Sequence, residues 1–136
     1  MMRKILLVED SKFLRMATER TLARAGYNVS TAADGVEALQ IAERAQPELI
    51  LLDMLLPKMS GQDVLKALKK NPATTGIAVV ALTGLSQKNA ERLRADGAVA
   101  FLEKSDLGLD TGARGLLSAL NEIFKKLPEA RASASI

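Results

Sequence analysis

Apolar residues in this chain gather into short runs separated by segments of helical period. Residues 5–8, 49–52, 77–82 and 98–102 are almost wholly aliphatic, and a weaker run at 27–32 alternates. Each is of strand length. Runs apolar on both sides are what a parallel sheet covered on both faces requires. Between them, Leu14, Ala17, Thr18, Thr21, Leu22 and Ala25 recur at helical spacing, with Gly26 as the stop. Ala38, Leu39, Ala42 and Ala45 make a second stripe closed by Pro47. Val64, Leu65 and Leu68 make a third, with Ser60 as N-cap and Pro72 beyond its end. A fourth helix, over about 87–95, turns only Ala90 and Leu93 inward. Leu116, Leu117, Leu120, Phe124 and Leu127 form a fifth, stopped by Pro128. The pattern is strand then helix, five times over. Such alternation with short connections predicts an α/β fold of parallel strands joined by right-handed crossovers.

A chain of 136 residues fits one domain. The Ala/Ser-rich segment 128–136 reads as a flexible tail behind a domain spanning 1–127. It leaves no output domain to expect after it, so the domain is expected to act alone or through a partner. With 48% hydrophobic and 26% charged residues, the chain reads as globular. It contains neither Cys nor His, which excludes disulfides, thiol catalysis, Ser-His-Asp catalysis and a phosphohistidine carrier. Any metal must take oxygen ligands, which favours Mg²⁺, Ca²⁺ or Mn²⁺. The net charge of +3 is small, its basic residues are dispersed, and four aromatics make no stacking platform; direct nucleic-acid binding is not expected. No apolar run approaches the ~20 residues of a membrane span. The short basic-apolar start is cut off by Glu9 and Asp10 before a signal core can form. A cytoplasmic location, without membrane contact, is the expectation.

Ligands of open α/β sheets bind at the carboxyl ends of the strands. The first run ends on Glu9 and Asp10, the third on Asp53, the fourth on Thr83 and Gly84, and the fifth leads through Phe101 to Lys104. Singly, each has a structural explanation: Asp10 or Ser11 as a helix cap, Thr83 as a strand residue, Phe101 as core, Lys104 as a solvated lysine. Together they converge on one rim. Two like charges ~5 Å apart repel by roughly 3 kcal/mol at an effective dielectric of 20. Three clustered carboxylates therefore cost on the order of 10 kcal/mol, against a domain stability of about 5–15 kcal/mol. A divalent cation together with Lys104 would neutralise Glu9, Asp10 and Asp53. These residues make Asp53 a candidate nucleophile toward phosphorus. Mg²⁺ would be shared with Asp10, and Lys104 and Thr83 would hold phosphoryl oxygens, giving an aspartyl phosphate.

Val8-Glu9-Asp10, the block 53–61 (Asp-Met-Leu-Leu-Pro-Lys-Met-Ser-Gly), Ala81-Leu82-Thr83-Gly84 and Phe101-Leu102-Glu103-Lys104 stand in order and at family spacing. In these the chain resembles the receiver domains of two-component response regulators, of the stand-alone chemotaxis-like kind, over about residues 3–127. The resemblance implies a flavodoxin-like, doubly wound five-stranded parallel sheet of order 2-1-3-4-5 with five helices. It implies Asp53 as phospho-acceptor, Glu9 and Asp10 as the acidic metal pair, and the Leu55 backbone carbonyl as a further ligand. The metal would be Mg²⁺, with Mn²⁺ as the alternative. Thr83 and Phe101 would be the switch pair and Lys104 the phosphoryl contact. The implied partners are a histidine kinase or histidine phosphotransfer protein upstream. Downstream is a protein target met by the face of the fourth helix, fifth strand and fifth helix, where Lys88, Glu91, Arg92, Arg94 and Arg114 lie. Such a domain is a switch that catalyses only its own phosphorylation and dephosphorylation.

Three features depart from the family pattern. Phe101 lacks the hydroxyl of the Tyr common there. Ser105 stands where Pro is usual, in a loop (105–110) that leads into Gly-rich sequence. Leu55 and Leu85, two residues after Asp53 and Thr83, are apolar where the family flanks its hydrolytic water, which predicts a long-lived phosphoryl group. A haloacid-dehalogenase-like phosphatase would carry a second Asp where Leu55 stands. A nucleotide-binding module would need a Gly-rich phosphate loop, which the chain lacks. A degenerate receiver would have lost Asp53, Asp10 or Lys104, and all three are present.

Overall fold

The computed structural model describes residues 3–83, 94–104 and 114–127. Five strands, β1 (Lys4–Val8), β2 (Asn28–Ala32), β3 (Leu49–Asp53), β4 (Ala78–Thr83) and β5 (Ala100–Glu103), form one sheet of order β2-β1-β3-β4-β5. Every pairing is parallel. The described helices are α1 (Lys12–Arg24), α2 (Gly35–Ala45), α3 (Gly61–Lys70) and α4 (Arg114–Lys126). Of the helix predicted over 87–95, only the last two residues, 94 and 95, are described, and they are helical. The four described helices thus match four of the five predicted, and α4 is the fifth of the sequence pattern. The tail at 128–136 lies outside the described residues. Among those residues no helix is long and apolar enough to cross a membrane.

The aliphatic runs owe their continuity to burial on both sides. Leu6, Val8, Ile50, Leu52, Val79 and Ala81 face a core layer completed by Ala38 and Ala42 of α2 and Val64, Leu65 and Leu68 of α3. The alternate residues Ile5, Leu7, Leu49, Leu51, Val80 and Leu82 face Leu22 of α1 and Leu116, Leu120 and Phe124 of α4. β2 is an edge strand, buried only at Ala32, which is why its sequence alternates where the others do not.

Helix starts are fixed by side chains that take up otherwise unpaired N–H groups. Ser11 caps α1 by accepting from the Leu14 amide, so Ser11 rather than Asp10 is the cap. Ser60 accepts from Asp63 as its position predicts. Asp34 caps α2 by accepting from Glu37. At the end of α2, Gln46 adopts a left-handed conformation, φ 49°, and its amide donates to the carbonyls of Glu43 and Ala73. The bond to Ala73 ties the end of α2 to the loop that follows α3.

Gly61, first residue of α3, fixes how closely that helix approaches β3. A Cβ there would lie 2.5 Å from the Met54 Cα and 2.8 Å from the Asp53 carbonyl oxygen. Both neighbours are backbone and cannot rotate away. Gly61→Ala is therefore expected to destabilise the fold by about 1–3 kcal/mol, read as a lower urea midpoint; an unchanged midpoint would show that the junction can yield.

Candidate functional site

The carboxyl ends of β1, β3, β4 and β5 open on one rim. Parallel register sets the arrangement: Val8 pairs with Leu52, so Glu9 and Asp53, the next residues of their chains, emerge side by side. Asp53 pairs with Leu82 across β3 and β4, leaving Thr83 one step beyond it, partly exposed. Thr83 in turn pairs with Glu103, the residue before Lys104. One carboxylate oxygen from each of Glu9, Asp10 and Asp53 lies within 4.8 Å of the others. The predicted acidic cluster is thus assembled, with Thr83 and Lys104 on the same rim.

Asp53 is only 1% exposed, and both its oxygens are engaged. The Leu55 amide donates to Oδ1 at 2.9 Å. Lys104 Nζ donates to Oδ2 at 2.7 Å. The same ammonium lies 3.2 Å from Glu9 Oε1, and Glu9 Oε2 accepts from the Ser11 amide at 3.1 Å. Glu9 is 3% exposed, while Asp10 faces solvent. Burial pushes the Glu9 carboxyl above the ordinary carboxylate range. The Ser11 N–H pulls it back, the adjacent Asp53 carboxylate adds to the rise, and Lys104 opposes it. For Lys104, burial works to lower the ammonium, but the hydrogen bond and charge of Asp53, followed by Glu9, outweigh it and hold the lysine above its usual value.

One ammonium against three carboxylates leaves the rim short of positive charge, and every donor in the cluster is an oxygen. This donor set fits a hard divalent cation such as Mg²⁺, which takes one or two carboxylates and keeps several waters.

Leu55 is 63% exposed, and its peptide is tied to the site through the bond to Asp53. Phe101 packs on the core layer beneath α2 and α3, and the Arg94 guanidinium lies 5.3 Å from its ring centroid. Leu85, Ser105, Lys88, Glu91, Arg92 and the Arg114 side chain lie outside the described residues. One participant was not legible in the sequence. Arg15 reaches back from the first turn of α1, and its Nη1 donates to the carbonyls of Glu9 at 2.9 Å and Asp10 at 3.3 Å. Its position five and six residues past the acids was the available signal, but a long side chain on a first turn has many places to go.

The raised Glu9 carboxyl has a measurable consequence in protein freed of divalent cations. Because the folded-state value exceeds the unfolded one, the protonated acid favours the fold. That contribution is complete below the unfolded value and is lost as pH rises through the folded one. At neutral pH, Glu9→Gln is expected to unfold at higher urea than the wild type, with the gap closing in acid. A variant less stable at neutral pH would contradict the direction.

Residues 5–108 match the family model of the response regulator receiver domain. The polar-differentiation response regulator DivK of Brucella anthropi is 38% identical over 106 residues, covering 76% of this chain and 85% of DivK. The structure of chemotaxis response regulator CheY4 of Vibrio cholerae superposes with a TM-score of 0.80 at 32% identity, covering 90% of this chain and 99% of that one. The receiver domain of the sensor histidine kinase PA1611 from Pseudomonas aeruginosa, solved with a magnesium ion coordinated in its active site cleft, gives 0.69 at 30% identity over 76% of this chain and 86% of that one. Several longer curated relatives are matched over only 15% to 48% of their length. The order of the sheet, the acidic rim and these likenesses together make the chain a member of the response regulator receiver domain family.

Proposed function

We propose that this receiver acts as a response regulator of the chemotaxis-like kind, with residues 1–127 as its working unit. In this reading it accepts a phosphoryl group on Asp53 from a histidine kinase or phosphotransfer protein in the cytoplasm. The observation that carries the proposal is the buried Asp53 carboxylate, with Lys104 Nζ 2.7 Å from one oxygen and Glu9 and Asp10 oxygens within 4.8 Å. A carboxylate buried among other acids, and paired to a lysine that can be drawn away, is poised to attack rather than to stabilise.

The two oxygens of Asp53 differ in freedom. Oδ1 is pinned by a backbone amide, whereas Oδ2 is held by a flexible side chain. Oδ2 is the atom that bonds to phosphorus, as Lys104 swings to a phosphoryl oxygen. The bond from phosphorus to the donor histidine nitrogen breaks, and its electron pair returns to the imidazole. Glu9, Asp10, Asp53 and the Leu55 carbonyl would hold Mg²⁺, or Mn²⁺ in its place. When bound, the cation offsets the charge that builds up on the phosphoryl oxygens. Thr83 then donates to the phosphoryl group. Its movement lets the Phe101 ring pack inward, altering the face expected of the predicted fourth helix (87–95), β5 and α4, which would meet a downstream protein. Phe101 has no hydroxyl, so its two positions differ by packing and by its contact with Arg94. The chain's own catalysis is confined to gaining and losing this phosphoryl group. The magnesium site reported for the PA1611 receiver supports the assignment of the acidic rim.

Intact-mass spectrometry after incubation with a small phosphodonor tests the reading. A gain of one phosphoryl mass is expected only with Mg²⁺, and none for Asp53→Asn. No gain, or an equal gain in the variant, would leave a receiver acting through fixed protein contacts. A second expectation concerns lifetime. Leu55 and Leu85 offer a water nothing to orient it or accept its proton. The phosphorylated chain should therefore lose phosphate slowly, and Leu55→Asn should shorten its half-life; rapid loss from the wild type would overturn this.

A further inference from the structure

The three acids reach the rim by different means. Asp53 sits at the end of a fully buried strand and is anchored by the Leu55 amide. Glu9 and Asp10 lie in the connection between β1 and the Ser11 cap, outside any regular element. A connection of this length has no ladder of its own, so its geometry depends on the few bonds that cross it. The Glu9 amide donates to the Ala32 carbonyl at 3.0 Å, and the Ser11 amide donates to the Glu9 carboxylate. The two carbonyls that follow, those of Glu9 and Asp10, both accept from a single atom, Arg15 Nη1. Arg15 is itself placed by α1, where its amide donates to the Ser11 carbonyl at 2.8 Å. The guanidinium thus clasps the peptide on either side of Asp10, the one acid of the cluster whose side chain faces solvent.

We propose that Arg15 is a positioning residue for the cation site, fixing the Glu9–Asp10 peptide so that both carboxylates are presented together with Asp53. This rests on the reading of the cluster as a Mg²⁺ site. Two effects of Arg15 oppose each other. Its positive charge near an acidic rim repels a cation, while its bonds hold the ligands in the binding geometry and reduce the ordering that binding must otherwise bring about. The positioning effect dominates, because a chelate of hard oxygens loses affinity steeply when one ligand wanders, and because a partly exposed charge is screened by water. The sign of the effect is therefore diagnostic: removing Arg15 weakens cation binding if it positions, and strengthens it if it acts chiefly as a charge.

The test uses the full chain with Mn²⁺ as probe, read from the loss of the free-ion signal in electron paramagnetic resonance. Arg15→Gln is expected to weaken Mn²⁺ binding by about 10-fold, the lower end of what losing an orienting partner costs a metal site. Arg15→Lys keeps the charge and a donor on a shorter reach, and should fall between Gln and wild type. Phosphoryl loading should slow at low Mg²⁺ but recover at saturating Mg²⁺, since Arg15 touches neither phosphorus nor Asp53. A role confined to stability would lower the thermal midpoint and leave the Mn²⁺ affinity of the folded protein unchanged, which would overturn the proposal, as would tighter binding. If Arg15→Gln does not fold, the Lys variant decides by the same comparison. A wild type that takes up no Mn²⁺ would overturn the cation-site reading itself, and is distinct from a wild type that binds while the variants bind equally well.

Discussion

Three carboxylates crowded at the ends of two neighbouring strands are the constraint around which this rim is organised. A fold is stable by only about 5–15 kcal/mol, so such a cluster survives only where its surroundings compensate it. Lys104 bridges the two buried acids, backbone amides take one oxygen from each, and burial raises Glu9 so that its ionisation remains costly. The arrangement is satisfied yet unbalanced in charge. In the proposed function, an arriving cation or phosphoryl group would act directly on that imbalance of charge.

The sheet makes that imbalance affordable. Its central strands are sealed by α2 and α3 on one side and by α1 and α4 on the other, so the rim stands on a rigid base. Gly61 lets α3 close against the strand that carries Asp53. Phe101 connects the rim to the core layer, and the Arg94 guanidinium over its ring ties the end of the preceding segment to that aromatic. A contact of this type contributes about 0.5–1 kcal/mol where solvent reaches it. In the proposed switch, a contact of that size would bias the packing of Phe101 without locking it.

Much of this was legible in the sequence, for physical reasons. Strands buried on both faces leave unbroken aliphatic runs, and the residue after each run must lie at the rim, so Glu9, Asp10, Asp53, Thr83 and Lys104 could be placed together before any coordinates. The strand order could not be derived from periodicity, which is blind to which strand lies beside which; it came with the family resemblance. Side-chain choices were harder to read. Asp34 as the cap of α2 was hidden in a run of small and polar residues. The left-handed turns at Gln46 and Lys58 fall on residue types that give no sign of them. Arg15 and Lys104 each serve two acceptors at once, and such double service depends on reach and angle rather than on spacing.

The pairing of β1 with β3 carries one more consequence. A strand that is apolar on both faces, lying between others of the same kind, could slide by one residue and still set leucine against leucine. Alternation, which fixes alignment in half-buried sheets, offers these strands little discrimination. Their charged ends supply it. Sliding β3 by one step would draw Asp53 down beside Val8, away from Lys104 and into hydrocarbon. The acids of the rim therefore also serve as alignment marks for the core, so that a chain assembled out of step is penalised at its charged strand ends.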